Sequence, residues 1–303
     1  MWVFQAVSKE SMHKKSKEFR LFLSYMSWMV KFIEETGLKS LVDKYDLFFI
    51  DLWGVIHNGI NLYQNAIDVL DKLFEHKKEY VLLTNAPRPI IDVKKFVEKM
   101  GMNEIHSSKI YTSGEASLEF LVNNLMDKKF YHIGPPRDFS LFSEFKKKKI
   151  ENIDDAEYLL CTGLFDNHED DIGYYKKILQ DQKSKILICT NPDLIVDRGD
   201  KREFCAGSVA KVFEEQGGKV EYFGKPYSNV YSLATNIKNK KVLCIGDNLK
   251  TDIKGANLLS FDALLISNGI HKKELEVSKA DELEKKYKVK INFIQRYLKW
   301  WKN

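Results

Sequence analysis

A short, nearly unbroken apolar run, YDLFFID at 45–51, stops abruptly at a carboxylate, and runs of the same kind recur along the chain. YVLLTN (80–85), VEYFGKP (220–226), KVLCIGDN (241–248) and DALLISNG (262–269) are the others. Helical stretches fall between them, near 64–76, 228–237 and 251–259. Apolar runs without alternation fit strands covered on both faces, as in parallel sheets. Strands separated by helices imply a doubly wound α/β fold built on a parallel sheet.

Between Asn85 and Val220 lies a stretch with an alternation of its own. Its candidate strands are KIYTS, KFYHIG, AEYLLCTG and KILICTN, with helices starting near Glu115, Asp171 and Ser208. That is long enough for a second α/β domain. The expected organisation is a core at 41–87 and 220–303, an inserted domain at 88–219, and a helical extension at 1–40. The extension is read from MSWMVKFIEETGL, where apolar residues recur at helical spacing and Gly37 serves as a stop.

Charge and cysteine usage narrow the function classes. The net charge of +5 belongs to the ends: residues 1–45 hold eight Lys/Arg against five Asp/Glu, residues 271–303 ten against five, and the middle is −3. Such terminal charge is the usual pattern of solvated helix faces, and no aromatic–basic stripe accompanies it, so a nucleic-acid partner is not expected. No apolar run approaches 18 residues, which argues against a spanning helix, and the first 20 residues do not read as a secretory signal. The four cysteines, at 161, 189, 205 and 244, form no Cys-x-x-Cys pair, and three sit inside apolar runs. Buried, reduced thiols and a cytoplasmic location are the expectation. The tail YLKWWKN is a candidate either for core packing or for a homodimer contact.

In open α/β sheets, ligands bind beyond the carboxyl ends of the strands. The first run ends in Asp51, the second in Thr84-Asn85, another in Asp247-Asn248, and VEYFG leads into Lys225. Taken singly, each has a plain structural explanation: a turn carboxylate, a cap, a loop lysine. Together they describe a site for a phosphate and a hard divalent cation.

These residues resemble the four motifs of the haloacid dehalogenase (HAD) superfamily: D-x-x-G-V at 51–55, Thr84-Asn85, Gly-Lys-Pro at 224–226 and GDNLKTD at 246–252. The insert between the second and third motifs resembles a C2-type cap, and TNPD (190–193) with GDNLKTDIKGA resembles class IIA, the NagD-like group. DLWGVIHNG, with SNGIH at 267–271, resembles a D-x-W-G-V subgroup of it. The resemblance covers about residues 40–280 and implies a Rossmann-like core and Mg²⁺ as cofactor. It makes Asp51 the nucleophile that forms an aspartyl-phosphate. Asp51, the Trp53 carbonyl and Asp247 become metal ligands, with Asp252 as ligand or anchor. Thr84, Asn85 and Lys225 become donors to the phosphoryl group, and Asn248 and Asp193 become substrate-side residues. The implied substrate is a small phosphorylated metabolite, such as a sugar or nucleotide phosphate.

One position departs from the pattern. Where most family phosphatases carry a second Asp that protonates the leaving group, this chain has Trp53, and indole cannot shuttle a proton. General acid catalysis is typically worth about 10²–10⁴ in rate. Three readings stay open: His57 replaces the acid; the substrate has a leaving group that needs none, such as an acyl or aryl phosphate; or the protein binds phosphate ligands without turning them over. In the insert, Arg198 is a candidate grip for a second anionic group, with a simple turn as the alternative, and the Gly-Ser helix start at 205–218 is a candidate substrate contact.

Overall fold

The computed structural model describes residues 30–198 and 201–301. In chain order its strands are β1 (Lys31–Phe32), β2 (Leu47–Ile50), β3 (Glu79–Thr84), β4 (Ile110–Thr112), β5 (Phe130–Ile133) and β6 (Tyr158–Cys161). They continue as β7 (Ile186–Cys189), β8 (Ile195–Arg198), β9 (Lys201–Phe204), β10 (Lys219–Tyr222), β11 (Val242–Gly246), β12 (Asp262–Ile266) and β13 (Phe293–Gln295). A seven-stranded sheet has the order β1-β13-β12-β11-β2-β3-β4, and every pairing in it is parallel. The chain moves outward from β2 to β3 and β4, then returns on the other side of β2 with β11. That reversal opens a crevice above the carboxyl ends of β2 and β11.

The apolar runs work as their composition requires. All four residues of β2 are buried, and they serve two cores: Leu47 and Phe49 pack on one face, Phe48 and Ile50 on the other. Successive side chains of a strand point to opposite faces, so a strand covered on both sides must be apolar throughout. A second parallel sheet, β10-β7-β6-β5, has its own core around Leu159, Leu187 and Phe213, while β8 and β9 form an antiparallel hairpin.

Sheet membership moves three expected boundaries. KIYTS, expected in the insert that starts at 88, becomes β4 and pairs with β3 in the larger sheet. VEYFG supplies β10, at the edge of the smaller sheet beside β7, so the larger sheet resumes at β11 and not at 220. Residues 31–40, expected to be helical, form β1 against β13 and a short 3₁₀ turn, Leu38–Ser40. The earlier part of the expected helical extension, 1–29, lies outside the described residues. β1 and β13 are too short for periodicity to reveal.

The tryptophan-rich tail packs on the core. Trp300 is buried against the cluster holding Leu38 and Leu298, with its ring 5.1 Å from that of His76. Gly37, at φ 64°, admits this contact, since a Cβ there would lie 2.0 Å from the Trp300 carbonyl oxygen. Trp301 is exposed, with the Lys39 ammonium 4.2 Å from its ring. Replacing Trp300 by Ala should therefore cost about 3–5 kcal/mol in a urea unfolding titration. Trp301→Ala should cost about 1 kcal/mol or less. Equal losses would contradict this division of labour.

Candidate active site

The strand ends that the sequence singles out meet above the centre of the larger sheet. β2 and β11 are in register through Ile50 and Ile245, so Asp51 and the loop after Gly246 rise side by side. Thr84 closes β3 on the other flank of β2, and the Asp51 backbone N–H donates to the Ile245 carbonyl at 2.8 Å. Parallel pairing makes this convergence automatic, because every strand delivers its carboxyl end to the same edge.

Lys225 enters from elsewhere, on the segment that leaves β10 and returns to the larger sheet. Its Nζ donates to Asp51 Oδ1 at 2.5 Å, to Asp252 Oδ1 at 2.6 Å and to the Leu83 carbonyl at 2.8 Å. All three side chains are buried. Burial works against the ammonium, but Asp252 and Asp51 outweigh it and hold Lys225 charged. Asn85 fixes the Lys225 backbone from both sides: its Oδ1 accepts from Lys225 N at 2.7 Å and its Nδ2 donates to Lys225 O at 3.0 Å. Gly224, at φ 116°, lets the chain come this close, since a Cβ would lie 2.5 Å from Asn85 Oδ1. Asn85, expected to donate to a phosphoryl group, thus uses its Oδ1 and one of its two amide N–H groups to hold Lys225.

The loop after β11 builds the other wall. Leu249–Ile253 winds as a wide π turn, a form often found at functional sites. It folds Asp252 back beneath Gly246, where a Cβ would lie 2.1 Å from Asp252 Cγ. Asp252 Oδ2 accepts from the Asn248 backbone at 3.1 Å, so each of its oxygens has a protein partner. Asp247 is crowded by Gly54 and Gly269, where a Cβ would lie 2.1 Å from its Oδ2, and it accepts from Ile270 N at 2.9 Å. Asp193 reaches in from the insert and accepts from Asn248 Nδ2 at 3.4 Å. Burial pushes Asp193 up to about 6, with Lys225 opposing the shift.

Asp51, Asp247 and Asp252 each offer a ligand atom, all within 4.8 Å of one another. Burial, with Asp252 close by, pushes Asp247 up to about 8, and burial raises Asp51 well above the carboxylate range despite Lys225. Three buried carboxylates sharing one ammonium are short of positive charge. An all-oxygen donor set of this kind fits a hard divalent cation such as Mg²⁺.

Trp53 and His57 stand on the loop after Asp51, beside the crevice. The Trp53 indole N–H donates to the Asp197 carbonyl, on β8, at 2.6 Å, and the Arg198 guanidinium lies 4.8 Å from the Trp53 ring centroid. His57 packs edge-on to Trp53 at 5.1 Å, and its Nδ1 accepts from Gly59 N at 2.9 Å. Burial, with Arg198 adding to it, pushes His57 down to about 4. A neutral, buried imidazole is a poor replacement for a carboxylic acid, and here His57 packs against Trp53. Arg198 lies on a strand and not a turn, and it pairs with Glu203 at 3.2 Å. The Gly-Ser helix start packs on the TNPD loop: Ser208 Oγ donates to the Leu194 carbonyl at 2.6 Å. The Arg88–Asp138 ion pair at 2.9 Å, also lining the crevice, was not foreseen, since nothing in the sequence links residues so far apart.

The crevice encloses about 710 Å³ between the two sheets, a size for a small ligand. Fold and site together fit an α/β hydrolase whose crevice floor carries one ammonium among buried carboxylates. One family model, haloacid dehalogenase-like hydrolase, matches residues 48–147, and a second, HAD-hydrolase-like, matches 222–291. The chain belongs to the haloacid dehalogenase-like hydrolase family, in its class IIA, NagD-like arrangement. A solved hydrolase of this family from Brucella suis is 31% identical, with 78% of this chain and 90% of that one covered at a TM-score of 0.71. The acid sugar phosphatase of Staphylococcus haemolyticus is 24% identical over 238 residues, covering 75% of this chain and 86% of its own. The 4-nitrophenylphosphatase of Schizosaccharomyces pombe is 24% identical over 272 residues, covering 78% and 88%.

Mg²⁺ should raise the melting temperature, by about 2.7 kcal/mol of stability at a concentration 100-fold above its Kd. Asp247→Asn should abolish that gain while leaving the metal-free protein about as stable, because burial already disfavours a charge at this position. An unchanged Mg²⁺ response in the variant would contradict the assignment.

Proposed function

We propose that the chain is a Mg²⁺-dependent phosphatase that hydrolyses a small phosphorylated metabolite through an aspartyl-phosphate on Asp51. The observation that carries this reading is the Lys225 ammonium held between Asp51 and Asp252 on the floor of the crevice. A nucleophilic carboxylate must be ionised beside an anionic substrate; the fixed ammonium favours that form against burial, and a bound cation would favour it further. A small phosphorylated metabolite is the substrate proposed, in keeping with the cavity's size and with relatives described as an acid sugar phosphatase and a 4-nitrophenylphosphatase.

Asp51 attacks phosphorus, the bond to the leaving oxygen breaks, and the phosphoryl group passes to the carboxylate. Water then attacks the aspartyl-phosphate, releasing phosphate and restoring Asp51. Thr84 Oγ1 accepts from the Ala86 N–H at 3.2 Å, which leaves its proton to donate to a phosphoryl oxygen. Lys225 orients Asp51 and balances its charge, Asn85 holds Lys225, and Asn248 and Asp193 border the substrate. Asp51, Asp247 and the Trp53 carbonyl would hold Mg²⁺, with Asp252 as their anchor. Bound there, the ion supplies neutralisation of the phosphoryl charge. Phosphoryl transfer asks mostly for such positioning and charge balance.

A second reading follows from the commitment of the Trp53 N–H to Asp197: a protein that binds phosphate ligands and has lost turnover. Four buried, unpaired cysteines favour a reducing compartment, and we place the protein in the cytoplasm. No helix among the described residues is long and apolar enough to cross a membrane.

Phosphate release from a panel of esters and acyl phosphates should require Mg²⁺, stop with a chelator, and fall to background in Asp51→Asn. Lys225→Met should lower kcat far more than it raises KM. Undiminished turnover in Asp51→Asn would overturn the mechanism. Phosphate binding without turnover on any substrate would establish the second reading.

A further inference from the structure

In an in-line displacement the leaving group departs on the side away from the nucleophile. Asp51 sits on the floor of the crevice, so the leaving group faces the insert, where the β8–β9 hairpin and Trp53 meet. Trp53 is locked there from every direction. Its N–H is bound to the Asp197 carbonyl, Arg198 covers one face, His57 meets it edge-on, and Gly59 lies so close that a Cβ would come within 2.6 Å of the ring.

Four carboxylates of the insert that border this space are engaged as acceptors. Asp197 is gripped by two nitrogens of Arg202, at 2.7 and 2.9 Å. Glu203 pairs with Arg198, and Asp138 with Arg88. Asp193 accepts from Asn248. A carboxylate that accepts from a guanidinium has its lone pairs committed there and is poorly placed to act as a proton donor. What faces the leaving group is therefore the cationic side of Arg198 and an indole whose only donor is already used.

We infer that this site is built for phosphates whose leaving group departs as a stable anion, namely acyl, enol or aryl phosphates, with Trp53 as a positioning residue that latches Arg198 over the leaving oxygen. The inference rests on the proposed phosphatase activity and specifies its substrate class. Asp51 forms the new bond to phosphorus while the bond to the leaving oxygen breaks. The electron pair goes to that oxygen, which leaves as a carboxylate, enolate or phenolate without taking up a proton. The aspartyl-phosphate formed is itself an acyl phosphate, so water cleaves it with the Asp51 carboxylate as a leaving group that likewise needs no acid.

The test is kcat/KM, with Mg²⁺, across acetyl phosphate, a series of substituted phenyl phosphates and a simple alkyl phosphate. In the wild type it should fall steeply as the leaving group becomes more basic, reaching the detection limit at the alkyl ester. Trp53→Asp should flatten the series, raising the alkyl and unsubstituted phenyl esters by about 10²–10⁴-fold relative to acetyl phosphate. Trp53→Phe, which keeps the ring and removes the N–H, should retain the steep slope and raise KM through the loosened hairpin. A flat series in the wild type, with alkyl phosphates turned over as well as aryl ones, overturns the inference and leaves the phosphatase reading intact. No release from any member, acetyl phosphate included, sinks the phosphatase reading instead.

Discussion

The buried Lys225 ammonium, shared between Asp51 and Asp252, is the contact on which the rest of the site depends. Removing one partner from such a buried ionic group costs about 3–5 kcal/mol, because the charge left behind has neither water nor partner. Everything nearby serves to keep the group intact. Asn85 grips the Lys225 backbone, Gly224 gives it room to approach, and the π turn after Asn248 returns Asp252 to meet it. Because Lys225 stands just past β10, at the edge of the smaller sheet, the docking of the two sheets is part of the site's electrostatics.

One ammonium does not balance three carboxylates. Burial first, and the crowding of carboxylates second, raise Asp51 and Asp247, and a divalent cation would complete the charge balance. Trp53 extends the same economy to the other side of the crevice. Its indole reaches from the loop after Asp51 to the β8 carbonyl and carries Arg198 on its face, so the residue that breaks the usual pattern also ties the insert to the core. In the proposed reading, the departure is a change of task at one position, from proton donor to latch.

The core strands were legible in the sequence for a physical reason. A strand buried on both faces, such as LFFI in β2, must be apolar at every position, and the residue that ends it stands at the sheet's active edge. Asp51, Thr84 and Asp247 could therefore be placed without knowing any neighbour. Less legible were the contacts made by chain returning from a distance. VEYFG reads like any other strand, and nothing local says that it joins β7 and not β11. Residues 31–32 and 293–295 are too short to show a period, and the bond between Trp53 and Asp197 joins positions that only tertiary packing brings together. Asn85 and His57 were recognised as site residues, but their roles follow from partners: an amide bonded to Lys225, an imidazole buried against Trp53.

The central claim is that Asp51 takes up the phosphoryl group beside Lys225. Acid quenching of the Mg²⁺-loaded protein during turnover of acetyl phosphate, followed by peptide mass spectrometry, tests it most directly. The account predicts a phosphoryl adduct on the peptide containing Asp51, absent from Asp51→Asn. An adduct on another residue, or steady turnover with Asp51 never modified, would contradict it.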